Sequence, residues 1–512
     1  MGYTADVGNR TEGINGLWLF GRKTIYSSAD VIDESNVIEQ VNAAMSIHIQ
    51  NLLAEDYLYW YRRGIAPILN RHKIVRPEIN NKIREGSGIA DAITTFKDGW
   101  FLTQPAYYIS RKEDAQDSVD ALNEYLYLSG KHDADNEVVD WFHTVGKGAL
   151  FVRSTDNNDK PVEAYALDPR SAFVVYSMKP DREPIMACYT VVDGENVKID
   201  VFTKERIFRV SGSVAGEIIS SYPNYTATAS SVDKVEPNPL GEIPVIEYQY
   251  NSVGMSCFEN ALDLLDSLDK LSSNRSDAVE QFVQSLLVFY NCELPSGDDG
   301  ESITVREIRE SGALFLKSFG ENKADLKEIS SQLDQTQTQV LVDYVYGQIQ
   351  RICAMPLVQE GRTYDATGTA AIVNSGWFQA DVAARNTEDL FKKSNRRFDE
   401  IFCKILRKKG LLDIKPTEFE LNFVRNETAN IQSKAQAFQT LMQAGMHPEL
   451  AAAKSGVSND PVADIKMSEP YIKMVWGDPT KVDEVEKQTD GRGEARIVES
   501  DGENRSNISG AV

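Results

Sequence analysis

The sequence predicts an α+β protein in which amphipathic helices precede and follow a region of short strands. Residues 258–290 contain neither Gly nor Pro and repeat their apolar residues with helical spacing. Residues 150–250 instead alternate short runs of β-branched and aromatic residues with turns of Asp, Gly, Asn and Pro. The chain has 512 residues, more than one ordinary hydrophobic core holds, so we expect about two to four structural units.

The composition is typical of a globular protein, because 42% of the residues are hydrophobic and 26% are charged. A net charge of −23 disfavours a conventional nucleic-acid reader, which gains affinity from Lys and Arg that neutralise phosphates. The apolar runs are shorter than the roughly 18–20 residues of a membrane-spanning helix. The first residues lack a secretory or lipidation signal. We therefore expect a protein made in the cytosol, without a membrane partner and with its Cys residues as buried free thiols.

Periodicity and turn residues predict the elements of the first half of the chain. Apolar residues that recur every three or four positions indicate helices, and short β-rich runs bounded by turn residues indicate strands. The predicted helices cover residues 29–63, 88–100, 114–129 and 136–145, and the predicted strands cover residues 104–108, 148–152, 165–167, 172–176, 186–192, 198–203, 205–210 and 243–250.

The second half begins with the helix predicted over residues 258–290. Its apolar residues share one face, and the opposite face carries an acidic stripe of Glu259, Asp263, Asp266 and Asp277, for which a solvated surface is the ordinary interpretation. The remaining predictions are a break at 294–300, a compact insertion to about residue 330 with a strand at 312–316, helices at 332–354 and 369–409, a strand at 418–424, helices at 428–444 and 448–455, and a disordered tail at 477–512.

Catalytic and metal-binding motifs are missing from the sequence. Gly130-Lys131 and Gly146-Lys147 lack the upstream Gly of a phosphate-binding loop, and the Asp-rich turns lack the Gly and Glu of an EF-hand. The five His residues stand apart, without a zinc or triad pattern. We therefore predict no enzyme, no cofactor and no metal. The many carboxylates leave a metal-dependent nuclease open as an alternative.

Several motifs occur in an order that resembles one protein family. Residues 80–83 read Asn-Asn-Lys-Ile, and residues 104–108 read Gln-Pro-Ala-Tyr-Tyr, with Gln104 where the family has Gly. Residues 165–176 form a strand-turn-strand pattern around Asp-Pro-Arg. Residues 238–248 read Asn-Pro-Leu-Gly-Glu-Ile-Pro-Val-Ile-Glu-Tyr and lead to the helix beginning at Phe258. Over about residues 60–475 the chain resembles the portal proteins of tailed double-stranded-DNA bacteriophages, of the siphophage type.

This resemblance implies a phage portal fold with a helical stem, a sheet-rich wing, a small α/β clip and a helical crown. The implied parts are a wing at 1–256, a first stem helix at 257–291, a clip at 292–330, a second stem helix at 331–355, a tunnel loop at 356–368, a helix supporting wing and crown at 369–415, a crown at 416–476 and a tail at 477–512.

The resemblance also implies a head-tail connector of the virion, assembled in the host cytoplasm. Such proteins form a homo-oligomeric ring of about twelve subunits at one capsid vertex. The ring nucleates procapsid assembly with scaffolding and major capsid proteins, and double-stranded DNA passes through it, without sequence preference, during packaging and ejection. The clip would bind the terminase large subunit, which is the ATPase, and head-completion or adaptor proteins.

Two sets of residues are expected to face the DNA. The tunnel loop is polar with one basic group, which suits weak phosphate contacts, although an ordinary helix connection is the alternative. The acidic stripe of the first stem helix would repel phosphate and let the duplex slide. Besides the nuclease, another head or tail structural ring protein remains an alternative. The predicted loop residues are Gln359, Glu360, Arg362, Thr363, Tyr364, Asp365 and Thr367.

Overall fold

The computed structural model describes most of the chain up to residue 471. Its helices and strands form two units, residues 1–430 and residues 431–512, and each is treated by itself. The described residues are 21–74, 77–112, 115–219, 222–283, 286–290, 292–293, 317–318, 325–329, 335–356, 376–423, 431–458, 464–468 and 470–471.

The first part of the chain is mainly helical. The predicted helix at 29–63 begins only at residue 37, because side-chain bonds hold the residues before it in a turn: Asp33 accepts the amide of Ser35, and Asn36 accepts the amide of Asp33. The sequence also gave no signal for the strand ahead of this turn. The elements are β1 (Ile25–Ser27), α1 (Val37–Arg62), a 3-10 turn (Pro67–Asn70), α2 (Glu85–Phe101), β2 (Tyr107–Ser110), α3 (Gln116–Leu128), α4 (Lys131–Val145) and β3 (Lys147–Ser154).

Two sheets make up the predicted β-rich region. A six-stranded sheet has the order β1-β5-β6-β7-β8-β9, antiparallel except for the β1–β5 pair, and a smaller sheet has the order β10-β3-β4. The strand predicted at 205–210 is longer, and its hairpin partner β9 was missed, since its many Ser, Thr and Ala residues give a weak alternation. The further strands are β4 (Val162–Leu167), β5 (Ala172–Ser177), β6 (Pro184–Asp193), β7 (Asn196–Phe202), β8 (Arg206–Ile219), β9 (Tyr222–Pro237) and β10 (Val245–Gln249).

The helix predicted over 258–290 is shorter than expected. It begins after a 3-10 turn (Glu259–Ala261) and ends at Val283, and residues 286–290 form a strand. The sequence Leu-Leu-Val-Phe-Tyr of that strand has high β propensity, and antiparallel pairing with residues 325–329 decides its conformation. The strand predicted at 312–316 lies outside the described residues. The elements here are α5 (Leu262–Val283), β11 (Leu286–Tyr290), β12 (Cys292–Glu293), β13 (Lys317–Ser318), β14 (Asp325–Ile329) and α6 (Gln335–Ile352).

The last elements include the longest helix of the described chain. Strand β15 pairs antiparallel with β2, so a strand expected in the crown belongs to the first unit. Two shorter helices belong to the second unit. The predicted tail at 477–512 lies outside the described residues. These elements are α7 (Trp377–Lys408), β15 (Phe419–Asn422), α8 (Ile431–Gln443) and α9 (Pro448–Ser455).

Four hydrophobic cores join these elements within the first unit, and three of them include helices. Phe391, Phe398 and Phe402 of α7 lie in a core with α3, α4 and the smaller sheet. A second core joins the end of α1 to α2, α5 and α6, and a third joins the start of α1 to the six-stranded sheet. Cys188, Cys257, Cys353 and Cys403 are free and buried, as expected. Among the described helices, none has the length and apolar character of a membrane span.

Candidate functional site

The polar side of α5 holds an extended segment of residues 80–86, which ends in the first turn of α2. The amide of Asn81 donates to Asp277 Oδ1 at 2.8 Å, and the amide of Ile83 donates to Ser273 Oγ at 2.9 Å. The amide of Gly86 donates to Asp269 Oδ1 at 2.6 Å. Because these acceptors are four residues apart, they lie on one side of the helix. The segment runs along this docking side of α5, antiparallel to the helix.

Asp277 is the most heavily bonded acceptor on this docking side. Its Oδ2 atom lies 2.7 Å from Lys73 Nζ and 3.1 Å from an Arg71 guanidinium nitrogen, and its side chain is 3% exposed. Burial by itself would raise the pKa of Asp277, but the bonds from Lys73 and Asn81 outweigh burial and lower it. As a charged group, Asp277 therefore ties Arg71, Lys73 and Asn81 to α5.

Asp269, on the same side, is less well compensated. Its Oδ1 atom accepts the Gly86 amide, whereas burial raises the pKa of Asp269 to about 6. The helices come very close here, since a Cβ on Gly86 would lie 2.6 Å from the carbonyl oxygen of Leu265. Only Gly fits between the two backbones at this point.

Glu259, in the turn before α5, is tied to the N-terminal part of the chain. Its Oε1 atom lies 2.8 Å from an Arg22 guanidinium nitrogen, and both side chains are 0% exposed. Its Oε2 atom accepts the amide of Ser256 at 2.8 Å. A buried pair of this kind is costly to break, because either charge left alone would be desolvated without compensation.

The predicted acidic stripe therefore divides into different environments. Glu259 and Asp277 are buried in ion pairs within the protomer, so the expectation that they face a channel is wrong. Asp266 is half-buried and accepts the hydroxyl of Tyr61 at 3.0 Å, and Asp263 is exposed. The helical spacing correctly predicts that Asp263, Asp266 and Asp277 share one face of α5. It could not reveal that residues nearly 200 positions earlier in the chain cover part of that face. A channel-facing role stays a prediction for Asp263 and Asp266.

The predicted tunnel-loop residues, from Gln359 to Thr367, lie outside the described residues, but the chain on either side is described. After α6, the amide of Met355 donates to the carbonyl of Gln350 at 2.8 Å, and Ala354 adopts a φ of +51°. Before α7, Gly376 has a φ of +81°, and its carbonyl accepts the amide of Ala380 at 3.2 Å. Left-handed residues thus end one helix and begin the next.

Both flanks of the loop rest on α2. The rings of Trp100 and Trp377 lie 5.0 Å apart, and Phe96 lies 5.8 Å from Trp377. Ala354 and Thr387 line one small pocket together with α2 residues. We call Phe96, Trp100 and Trp377 the aromatic anchor. The spacing of Phe96 and Trp100, four residues apart on a helix, was the sequence signal that could have revealed it.

A buried histidine, His143, lies beside this anchor and contacts both α2 and the chain that leads into α5. His143 Nδ1 lies 2.6 Å from Asp98 Oδ1, and the carbonyl of His143 accepts the amide of Cys257 at 2.9 Å. Burial lowers the pKa of His143, and the neighbouring carboxylate opposes this effect. The contacts favour a structural role, as the sequence indicated. No cluster of metal-binding side chains occurs in the part of the chain that the structure describes.

Helices α5 and α6 form an antiparallel pair with small strands at one end. The family profile "Phage portal protein, SPP1 Gp6-like" matches residues 46–473. The chain therefore belongs to this portal protein family, which confirms the sequence-based resemblance and the α+β portal fold.

Two known proteins illustrate the similarity. The portal protein of Bacillus phage SPP1 is 24% identical over 241 residues, which is 46% of this chain and 45% of that protein. The match thus spans less than half the length of this curated relative. A solved structure titled "Neck of native GTA particle computed with C12 symmetry" is 12% identical, with a TM-score of 0.37, over 72% of this chain and 89% of that one.

Proposed function

We propose that this chain is the subunit of a portal ring at one capsid vertex, through which double-stranded DNA enters and leaves the phage head. The family match over residues 46–473 is the observation that carries the proposal. The fold agrees with it, because α5 and α6 pack in one hydrophobic core and buried ion pairs tie α5 to the N-terminal part of the chain. A conduit needs firmly held walls to keep its diameter under load.

The DNA path would be lined by groups that do not grip phosphate. Asp266 offers negative charge on α5, and the loop residues Gln359, Arg362 and Thr363 offer polar contacts with a single basic side chain. Contacts to phosphate carry no sequence information, so such a lining accepts any duplex. Weak contacts also let the duplex move. The aromatic anchor would hold the loop in position at its α7 flank.

The remaining partners belong to the same proposal. The strands between α5 and α6, including β11 and β14, would form the clip that docks the terminase large subunit and head-completion or adaptor proteins. Scaffolding and major capsid proteins would meet the ring when it nucleates procapsid assembly in the host cytoplasm. The chain then needs no ATPase of its own, since the motor belongs to the terminase.

Electron microscopy and light scattering of the purified full-length chain test this function. We expect a closed ring of about twelve copies with an axial hole. A nuclease assay with plasmid DNA and magnesium should show no cleavage. A chain that stays monomeric and cuts DNA when magnesium is added would contradict the portal function and favour the nuclease alternative.

A further inference from the structure

The side of α6 that points away from the protein core is apolar and exposed. Val345 and Ile349 pack in the core shared with α5, whereas Val340 and Tyr344 lie on the opposite side of the helix and are 65% and 61% exposed. Arg351 continues this side two turns later, and Asp343 lies next to it. We call Val340, Asp343, Tyr344 and Arg351 the outer face of α6. An apolar patch rimmed by charges is typical of a protein contact surface.

Helix α5 has an exposed strip of its own, which borders its docking side where Arg71 contacts Asn274. Asp263, Ser267, Lys270 and Asn274 are all exposed and are spaced four, three and four residues apart, so they follow one line along the helix. The strip is small and polar, with one acidic residue near its start and one basic residue in its middle. A neighbouring helix could therefore approach it closely.

The contact between the two helices fixes which residues lie at the same level. An Arg275 guanidinium nitrogen donates to Gln339 Oε1 at 2.7 Å. Moving along both antiparallel helices from this contact at about 1.5 Å per residue, Asp343 reaches the level of Leu271, one residue from Lys270. Arg351 reaches the level of Asp263. Cys353 and Ala261, at equal distances from the same contact, share one core, which agrees with this alignment.

We propose that the outer face of α6 in one copy packs on the exposed strip of α5 in the next copy of the same chain. Rotation about an axis parallel to these helices keeps every residue at its own level. Asp343 then meets Lys270 and Arg351 meets Asp263, so both charge pairs are of opposite sign. Tyr344 buries its apolar surface between the pairs, and Val340 buries its own one turn beyond the Asp343–Lys270 pair. The inference rests on the proposed ring, since it names the contact that closes it.

Charge reversal in the full-length chain tests this contact. Lys270→Asp or Asp343→Lys alone should raise the protein concentration at half-assembly about tenfold or more, because each places two like charges together. The double variant should assemble nearly as well as the wild type, because it restores an opposite pair. Lys198→Asp, an exposed lysine of β7, is the matched control and should assemble normally. Sedimentation velocity over a concentration series measures assembly.

The second pair gives an independent test with Asp263→Arg, Arg351→Asp and their combination. Unchanged circular dichroism and melting temperature show that each variant folds. Single reversals without effect on a ring-forming wild type would overturn this contact and leave the portal function standing. Double variants as defective as the singles would overturn the alignment in the same way. A wild type that never assembles would instead remove both the contact and the proposed ring.

Discussion

Replacing Asp277 with Ala measures how strongly α5 is tied to the chain around Lys73 and Asn81. The carboxylate accepts bonds from Lys73 and Asn81, and its side chain is 3% exposed. Removing one member of a fully buried ion pair costs about 3–5 kcal/mol. Lys73 is 22% exposed and regains water when its partner is lost, so we expect a smaller loss of about 2–3 kcal/mol.

Hydrogen exchange at the Asn81 amide measures this loss locally. That amide donates to Asp277, so its protection should fall about 30- to 150-fold in Asp277→Ala. Asp263→Ala changes an exposed carboxylate of the same helix and should leave Asn81 protected to within about 0.5 kcal/mol. An Asn81 amide equally protected in wild type and Asp277→Ala would refute the idea that this carboxylate holds the 80–86 segment.

The pH dependence of the same variant follows from the lowered pKa of Asp277. A carboxyl whose pKa is lower in the folded than in the unfolded protein stabilises the fold above its ordinary pKa of 3.8. That contribution disappears as the pH falls through the lower, folded value. The stability difference between wild type and Asp277→Ala should therefore be full at pH 7 and shrink in acid below pH 3.8, as thermal melts at fixed protein concentration would show.

Three further predictions concern the contact between α2 and α5 and the aromatic anchor. Gly86→Ala should lower the melting temperature, at a cost of about 1–3 kcal/mol, because its Cβ meets the Leu265 carbonyl; an unchanged melting temperature would contradict this close approach. Asp269→Asn should gain stability relative to the wild type as the pH rises from 3.8 to about 6, because the wild type loses over that range the stability linked to its raised pKa; a pH-independent difference would argue against it. Trp377→Ala should increase protease cleavage within residues 357–375, because the ring of Trp377 stacks on Trp100 at the start of α7. Unchanged cleavage would show that this stacking does not hold the α7 flank of the loop.

Internal bonds compensate part of the negative charge on and just before α5. Glu259, Asp269 and Asp277 do not add to a repulsive surface, because each accepts a bond from the N-terminal part of the chain. Asp263 remains exposed on the same helix. Net charge alone could not distinguish these roles. Some of the acidic side chains therefore accept bonds inside the protein, and others lie on its surface.

The sequence by itself determined the elements whose signal is local. The apolar spacing of α6 and α7 predicted both helices to within a few residues over their described length, because an amphipathic helix repeats its pattern every turn. The short strands from β3 to β7 were marked by their own turn residues. The ordered motifs at 80–83, 165–176 and 238–248 were sufficient to indicate the family.

The tertiary structure alone decided the end of α5, the length of the β8–β9 hairpin and the environment of the acidic stripe. Residues 286–290 become a strand because β14 pairs with them, although helical spacing continues through them. Asp277 is buried because Asn81, 196 positions away, lies against it. Helical periodicity shows which residues share a face, but it carries no information about which distant segment covers that face.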